Sequence, residues 1–391
     1  MSELSWIGDF LMTSKERMIK SYRGEKTDTI PVAPEFWYYY PAKFMHVDMI
    51  TLEKEVPHYE ALYQVFEYFS CEGWGIIPLT LKPIDAELKI YAEWDSQKDL
   101  IETTTIKTKG HFLTERHKFC HDNPSWQLEA PVKDIQSDLL PWVSYKLDRD
   151  INSLDVKNIE KARTRVGETF LLEGYVGDPF FDFYVSGRDG GFETAIYDFF
   201  EIENYQNLCK LQEQYIEYMS KLTHYACENT SLESFFMGCN WSCNSLLGPN
   251  LWRQWDKPVI KRIAEIIHSH GRTLHIHFHG NSQATLKDFE ELGVDCICPF
   301  ERPSGGDIVG KQGLKEVFAK LKGKVTINGN VHTIDTLING TPEDVRAEVR
   351  EIKVAAEEAG YSNRLIIGTG DQVGGETPEE NLWAMIEEAR T

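Results

Sequence analysis

At 391 residues the chain is too long for a small domain and short enough for one large barrel or two modest domains, and its 41% hydrophobic and 12% aromatic content excludes a disordered chain. A formal charge of −21 repels phosphate backbones and anionic lipid, which argues against nucleic-acid and membrane-surface partners. The apolar runs are strand-sized, the opening "MSELSWIGDFLMTSKERMIK" lacks a leader pattern, and eight cysteines, scattered apart from Cys239/Cys243 and Cys296/Cys298, do not read as a disulfide framework, so a cytoplasmic, soluble protein with free thiols is expected.

In chain order, "TIPVAPEF" and "WGIIPL" read as the first two strands, each with a helical pattern nearby. Leu88 to Val143, with the alternating "IETTTIKTKGHFLTERHKF", reads as a β-hairpin region inserted after the second strand. From about residue 165, apolar runs alternate with helical patterns. "TFLLEGYVGD" precedes an amphipathic stretch from Phe192 to Cys227, and "SFFMGCNWSC" precedes a helix carrying Leu251, Trp255, Val259, Ile263 and Ile266. "TLHIHFHG", "VDCICPFE", "KVTINGNV" and "RLIIGTGDQV" follow. Thr341, Pro342 and Asp344 spell a capped helix start before Val345, Val349, Ile352 and Ala356, and Thr377, Pro378 and Glu380 repeat the device. Eight strands with helices between them predict a (β/α)8 TIM barrel, one domain over 1–391 with an insertion at about 88–143. A doubly wound open sheet is the competing arrangement.

"RTLHIHFHGN" places His275, His277 and His279 at every second position of one strand, so the three rings share a face while Leu274, Ile276 and Phe278 share the other. In a parallel barrel the histidines point inward, and His277 and His279 reach the mouth where barrel sites are built. Burying several imidazoles without partners carries a desolvation cost that apolar residues avoid, so the pattern points to metal or catalytic use. Asp371 after "IIGTG", Glu301 after "ICPF", Asn328 and Asn330 in "INGNVH", and Asn240 and Trp241 after "FFMGC" stand at other strand ends. Asp371 has the alternative of capping its glycine-rich turn, and Glu301 that of pairing with Arg302.

These motifs resemble the uroporphyrinogen decarboxylase superfamily, which includes cobamide-dependent methyltransferases. The resemblance runs from about Ser245 to the C-terminus, through "SLLGPNLWRQWDKPVIKRIAEIIHSHGRTLHIHFHGN", "GVDCICPFERPSGGDIVGKQGLKEVFAKLKGKVTINGNV", "LINGTPEDVRAEV" and "GTGDQVGGETPEENLWAMIEEAR". More loosely, "TSKERMIKSYRGEKTDTIPVAPEF" is similar to the superfamily's opening helix and first strand, which implies an N-terminal helical extension. The decarboxylase branch carries arginine in its opening strand and a Gly-His motif ending its last. Here those places read "PEFWYYYP" and "GTGDQVG".

The methyltransferase branch binds zinc through a His-x-Cys pair and a cysteine after the last strand. By that resemblance His277 matches the histidine, His279 stands for the first cysteine and Asp371 for the second. Two histidines and one aspartate leave a net positive ion, a stronger Lewis acid than one held by two thiolates, suited to withdrawing electrons from an ether oxygen. The expected activity is zinc-dependent methyl transfer from a small, possibly aromatic, O-methyl substrate to a corrinoid (cobalamin) carried by a partner protein. His275 or Glu301 would be the reserve ligand or base, and Asn240 would lie near the substrate. Trp37, Tyr38, Asp178, Phe181 and Trp241 are the expected substrate contacts. A homodimer is the oligomer the resemblance allows. The rival readings are methyl transfer to a thiol or tetrahydrofolate, a metal-free decarboxylase, and a barrel that binds without turnover.

Overall fold

The computed structural model describes residues 11–95 and 98–391; the first ten residues, on which part of the leader argument rests, lie outside it. Eight strands form one sheet: β1 (Val32–Ala33), β2 (Trp74–Pro78), β3 (Leu171–Gly177), β4 (Ser234–Cys239), β5 (Thr273–Phe278), β6 (Cys296–Pro299), β7 (Thr326–Val331) and β8 (Leu365–Thr369). Their order is β1-β8-β7-β6-β5-β4-β3-β2 and every ladder is parallel. This is the strand order of a (β/α)8 barrel with a seam, since no ladder joins β1 to β2 among the described residues. On β5 the apolar residues Leu274, Ile276 and Phe278 are fully buried under the helices, and His275 and His277 face the barrel interior.

The floor of the barrel is α1 (Ser14–Arg23). A reciprocal capping box between Thr13 and Glu16 starts it, and Gly24, in the left-handed region at φ +71°, ends it. Its buried face, Met18, Ile19 and Tyr22, packs with Ala33, Leu171, Cys296 and Ile366 from the strands. Thr326 donates its hydroxyl to the Ser21 carbonyl, and Arg364 donates to the Tyr22 carbonyl at 2.9 Å.

Between β2 and β3 the chain forms a four-stranded antiparallel sheet: Glu87–Trp94, Leu100–Thr108, His111–Phe119 and Trp126–Glu129. The expected hairpin is its centre, closed at Lys109 and Gly110, both at positive φ as a two-residue hairpin turn requires. The helix Ile135–Leu147 follows.

Around the rest of the barrel run α2 (Phe180–Gly187), α3 (Ile202–Asn229), α4 (Lys257–Ser269), α5 (Pro342–Glu358) and α6 (Glu379–Arg390). Thr341 and Asp344 form the expected capping box of α5. Three sequence expectations need correction. The stretch Phe192 to Cys227 is broken at Phe199 to Glu201 into Gly191–Asp198 and α3. The helix through Leu251 and Ile266 is two, Pro249–Trp255 and α4, joined at Asp256, whose carboxylate turns away to accept from the Phe181 amide. Thr377 does not cap α6; Pro378 holds the cap position. Among the described residues no helix is long and apolar enough to cross a membrane.

Candidate functional site at the barrel mouth

β5 delivers its three histidines at successive depths. His275 is fully buried, the His277 side chain is 8% exposed and the His279 side chain 29%. A continuous chain of polar contacts links them. Glu173 Oε2 lies 2.9 Å from His275 Nδ1, and Cys298 Sγ lies 3.1 Å from both His275 Nε2 and His277 Nδ1. His277 Nε2 lies 2.6 Å from His279 Nε2, and His279 Nδ1 lies 2.7 Å from Glu301 Oε1. The register that pairs His277 with Cys298 across β5 and β6 brings the thiol between the rings.

With Glu173 and Glu301 as acceptors, more than one set of proton positions satisfies these contacts, and the set that puts the second imidazole proton on His279 is the one the lowered His277 and raised His279 favour. His275 Nδ1–H donates to Glu173, the Cys298 thiol to His275 Nε2, His277 Nδ1–H to Cys298 and His279 Nε2–H to His277. His279 then carries both protons, one of them donated to Glu301. The electrostatics agree. Burial disfavours the His279 cation, but the Glu301 hydrogen bond and the charges of Asp371, Glu301 and Glu35 outweigh it and lift the group to about 9. Burial and the neighbouring imidazoles hold His277 well below the usual histidine range. Burial, then the Glu35 charge, pushes the Cys298 thiol well up.

Above this chain opens a cavity of about 410 Å³. Its acidic lining is Glu35, at the end of β1, with Asp178 and Asp371; its aromatic walls are Trp37, Tyr38, Trp74, Tyr175 and Phe236. Burial, reinforced by the Asp371 charge, raises Glu35 to about 8. Burial raises Asp178 to about 6 against the hydrogen bond from Tyr175, whose hydroxyl donates to it at 2.5 Å. Burial also raises Asp371. A further carboxylate sets the loop after β4: Asp182 on α2 accepts from the amides of Asn240, Trp241 and Ser242 at 3.2, 2.8 and 2.8 Å.

Of the sequence-predicted residues, Trp37, Tyr38, Asp178, Asn240, His277, His279 and Asp371 line this one cavity. Glu301 stands behind His279 and also accepts from the Gly280 amide at 2.8 Å. Three placements differ from expectation. His275 lies below the cavity, enclosed by Tyr22, Trp74 and Phe236 and bonded to Glu173. Phe181, at the start of α2, turns into the core against Phe192 and Phe199. Trp241 is 43% exposed and stacks on Phe192 outside the cavity lining.

The expected ligand trio also changes. Among the described residues the metal-ligating atoms that all lie within 4.8 Å of one another are those of Glu35, His277 and Cys298, and, elsewhere, of His224, Glu228 and His270. His277, His279 and Asp371 are not such a group, and the Asp371 carboxylate accepts from the Gln372 amide at 2.7 Å. Imidazole, carboxylate and thiol are the donors zinc takes, so the residues present fit that ion. Glu35 and Cys298 were missed in the sequence. Cys296 and Cys298 carry the same two-residue alternation as the histidines and Glu35 ends the first strand, but inter-strand register is needed to connect them.

Two similarities to known proteins follow the same outline. A methylated-thiol–coenzyme M methyltransferase of Methanosarcina mazei is 29% identical over 143 residues, 37% of this chain and 34% of that protein, so the match spans about a third of the relative's length. The structure of a methyltransferase from Methanosarcina mazei covers 97% of this chain and 98% of its own with a TM-score of 0.61 at 18% identity, which shows a shared fold. Residues 183–391, just over half of the chain and including β4 to β8 with all three histidines, match the family described as Uroporphyrinogen decarboxylase (URO-D), and the chain belongs to that family.

Proposed function

We propose that the chain is a zinc-dependent methyltransferase that takes the methyl group of a small O-methyl compound, aromatic by preference, and passes it to a reduced corrinoid on a separate protein. The observation that carries this reading is the facing pair His277 Nε2 and His279 Nε2, 2.6 Å apart on a cavity that also holds Glu35 and Asp371. Both imidazoles would hold the ion on the cavity side of His277, with the Asp371 carboxylate turning from the Gln372 amide to complete the set. A zinc ion so bound supplies Lewis acidity toward the ether oxygen.

The chain's own groups do the rest. Trp37, Tyr38 and Phe236 offer apolar faces for a substrate ring, and Asn240, fixed through its amide by Asp182, presents a polar side chain beside it. Glu301 orients His279 through Nδ1. When the carbon–oxygen bond breaks, its electron pair stays on oxygen while the methyl cation equivalent joins the corrinoid's electron pair. The oxygen then needs a proton, and the Glu35 carboxyl, which burial pushes above the usual carboxylate range, stands on the cavity to relay one.

A second reading follows from the compact group Glu35, His277 and Cys298. A shell with one thiolate and one carboxylate is neutral, which suits thiol methyl chemistry, and the Methanosarcina mazei relative is named for methylated thiols. Zinc content and corrinoid absorbance, measured with methoxylated and with thiol substrates on the parent protein and on Cys298→Ser, separate the two. The first reading expects Cys298→Ser to keep its zinc and its activity on a methyl ether. Loss of both, with thiol turnover in the parent, selects the second. No methyl transfer by zinc-loaded parent protein to or from a corrinoid overturns both.

A further inference from the structure

The second compact donor group lies at the opposite end of the barrel. His224 and Glu228 are four residues apart in the last turns of α3, which places their side chains one above the other on one helix face. His270 follows α4 in the turn that leads into β5, where Gly271 takes φ +69°. His270 Nε2 lies 2.9 Å from His224 Nδ1 with the rings nearly perpendicular at 86°, and a Glu228 carboxylate oxygen completes a trio within 4.8 Å. His270 to His277 is seven residues of largely extended chain, roughly 20 Å at strand rise, so this group is separate from the cavity at the mouth.

We propose that His224, Glu228 and His270 form a second divalent-metal site of the zinc class. Two imidazoles and one carboxylate are a three-ligand zinc set with positions left for water. Two nitrogens on a tetrahedral zinc ion sit about 3.3 Å apart, so the rings need to part by only a few tenths of an ångström. His224 and Glu228 are exposed, which leaves their side chains room for that movement. Glu228 makes no ion pair among the described residues, so its charge is available to the cation. A chain of charge −21 draws cations to such a surface. Because His270 stands three residues before β5, an ion here pins the end of α3 to the root of the strand that carries the mouth histidines.

The test is zinc binding by equilibrium dialysis on the metal-stripped full chain, using the parent, His224→Ala/His270→Ala, Glu228→Gln and His277→Ala. The rear site predicts that His224→Ala/His270→Ala loses one equivalent while His277→Ala keeps it, and that Glu228→Gln weakens that equivalent about tenfold or more. Zinc at 100-fold above the dissociation constant should raise the Tm of His277→Ala by about 3 °C, and this rise should vanish when His224→Ala is added. Equal stoichiometry in the parent and in the folded His224→Ala/His270→Ala protein overturns the proposal. If His277→Ala instead loses nothing, the mouth site fails and the rear site stands.

Discussion

His275 and His277 are two residues apart on one strand, share Cys298 as a neighbour and point the same way, yet they belong to different regions. At the floor His275 is closed in: Glu173 accepts from its Nδ1, Ser234 donates to Glu173 at 2.7 Å, and the Tyr22 hydroxyl lies 3.1 Å away. At the mouth His277 meets His279 and Glu35, and there burial, together with the charges of neighbouring groups, moves Glu35, His277, His279 and Asp371 away from their ordinary ionisation. A polar network in which each member is satisfied stabilises a core, whereas one whose carboxylates crowd an open cavity stores the electrostatics a ligand can use. Residue type does not decide between the two; the neighbours do.

The sharpest way to break the comparison is at the mouth. His277→Ala should lose the zinc of the mouth and at least about a thousandfold of methyl transfer, with the fold intact by circular dichroism. Retained activity would remove the mouth from the chemistry. At the floor, His275→Ala should keep its metal but lose on the order of 3 kcal/mol of stability, because Glu173 is left buried with one oxygen stripped of its imidazole partner. A urea melt reads this, and an undisturbed melt would mean the floor network holds nothing.

The loops of the mouth supply the pH test. Asp256 is fully buried, and burial raises it to about 7 against the hydrogen bonds from Ser242 and the Phe181 amide. Between about pH 4 and pH 7 the native state therefore holds a proton that the unfolded chain has released. This group's contribution is complete below the unfolded value, falls as pH rises through that window and is level above about 7. Asp256→Asn should flatten that decline, worth on the order of 4 kcal/mol, and an unchanged profile of unfolding free energy against pH would refute the assignment. The smallest effect is expected at Trp241, whose half-exposed ring stacks on Phe192 at a centroid distance of 5.8 Å. Trp241→Ala should cost about 1 kcal/mol and leave kcat within a few-fold of the parent. A large fall in kcat would bring Trp241 into the site after all.

The barrel was legible because its strands are short apolar runs between amphipathic helices, and β5 was legible because period two is visible without a partner strand. What lies across from β5 was not. β6 has four residues, and only its register shows that Cys298, rather than a more distant group, sits against His277. Phe181 shows the same limit. A residue just after a strand end was read as cavity wall, but the turn of α2 sends it into the core and leaves Asp178 at the rim. Asp371 was placed at the right mouth, where it accepts from the Gln372 amide and stands outside the compact donor group.

The floor helix has a consequence in time. Tyr22 meets a ring 253 positions further on, Ser21 a hydroxyl 305 positions on, and the Tyr22 carbonyl a guanidinium 342 positions on. The first described helix to leave the ribosome therefore has only part of its berth until nearly all of the chain has been made, and such long loop closures slow folding. Seating α1 is expected to be the last event of assembly, the moment at which water is shut out from beneath the histidines.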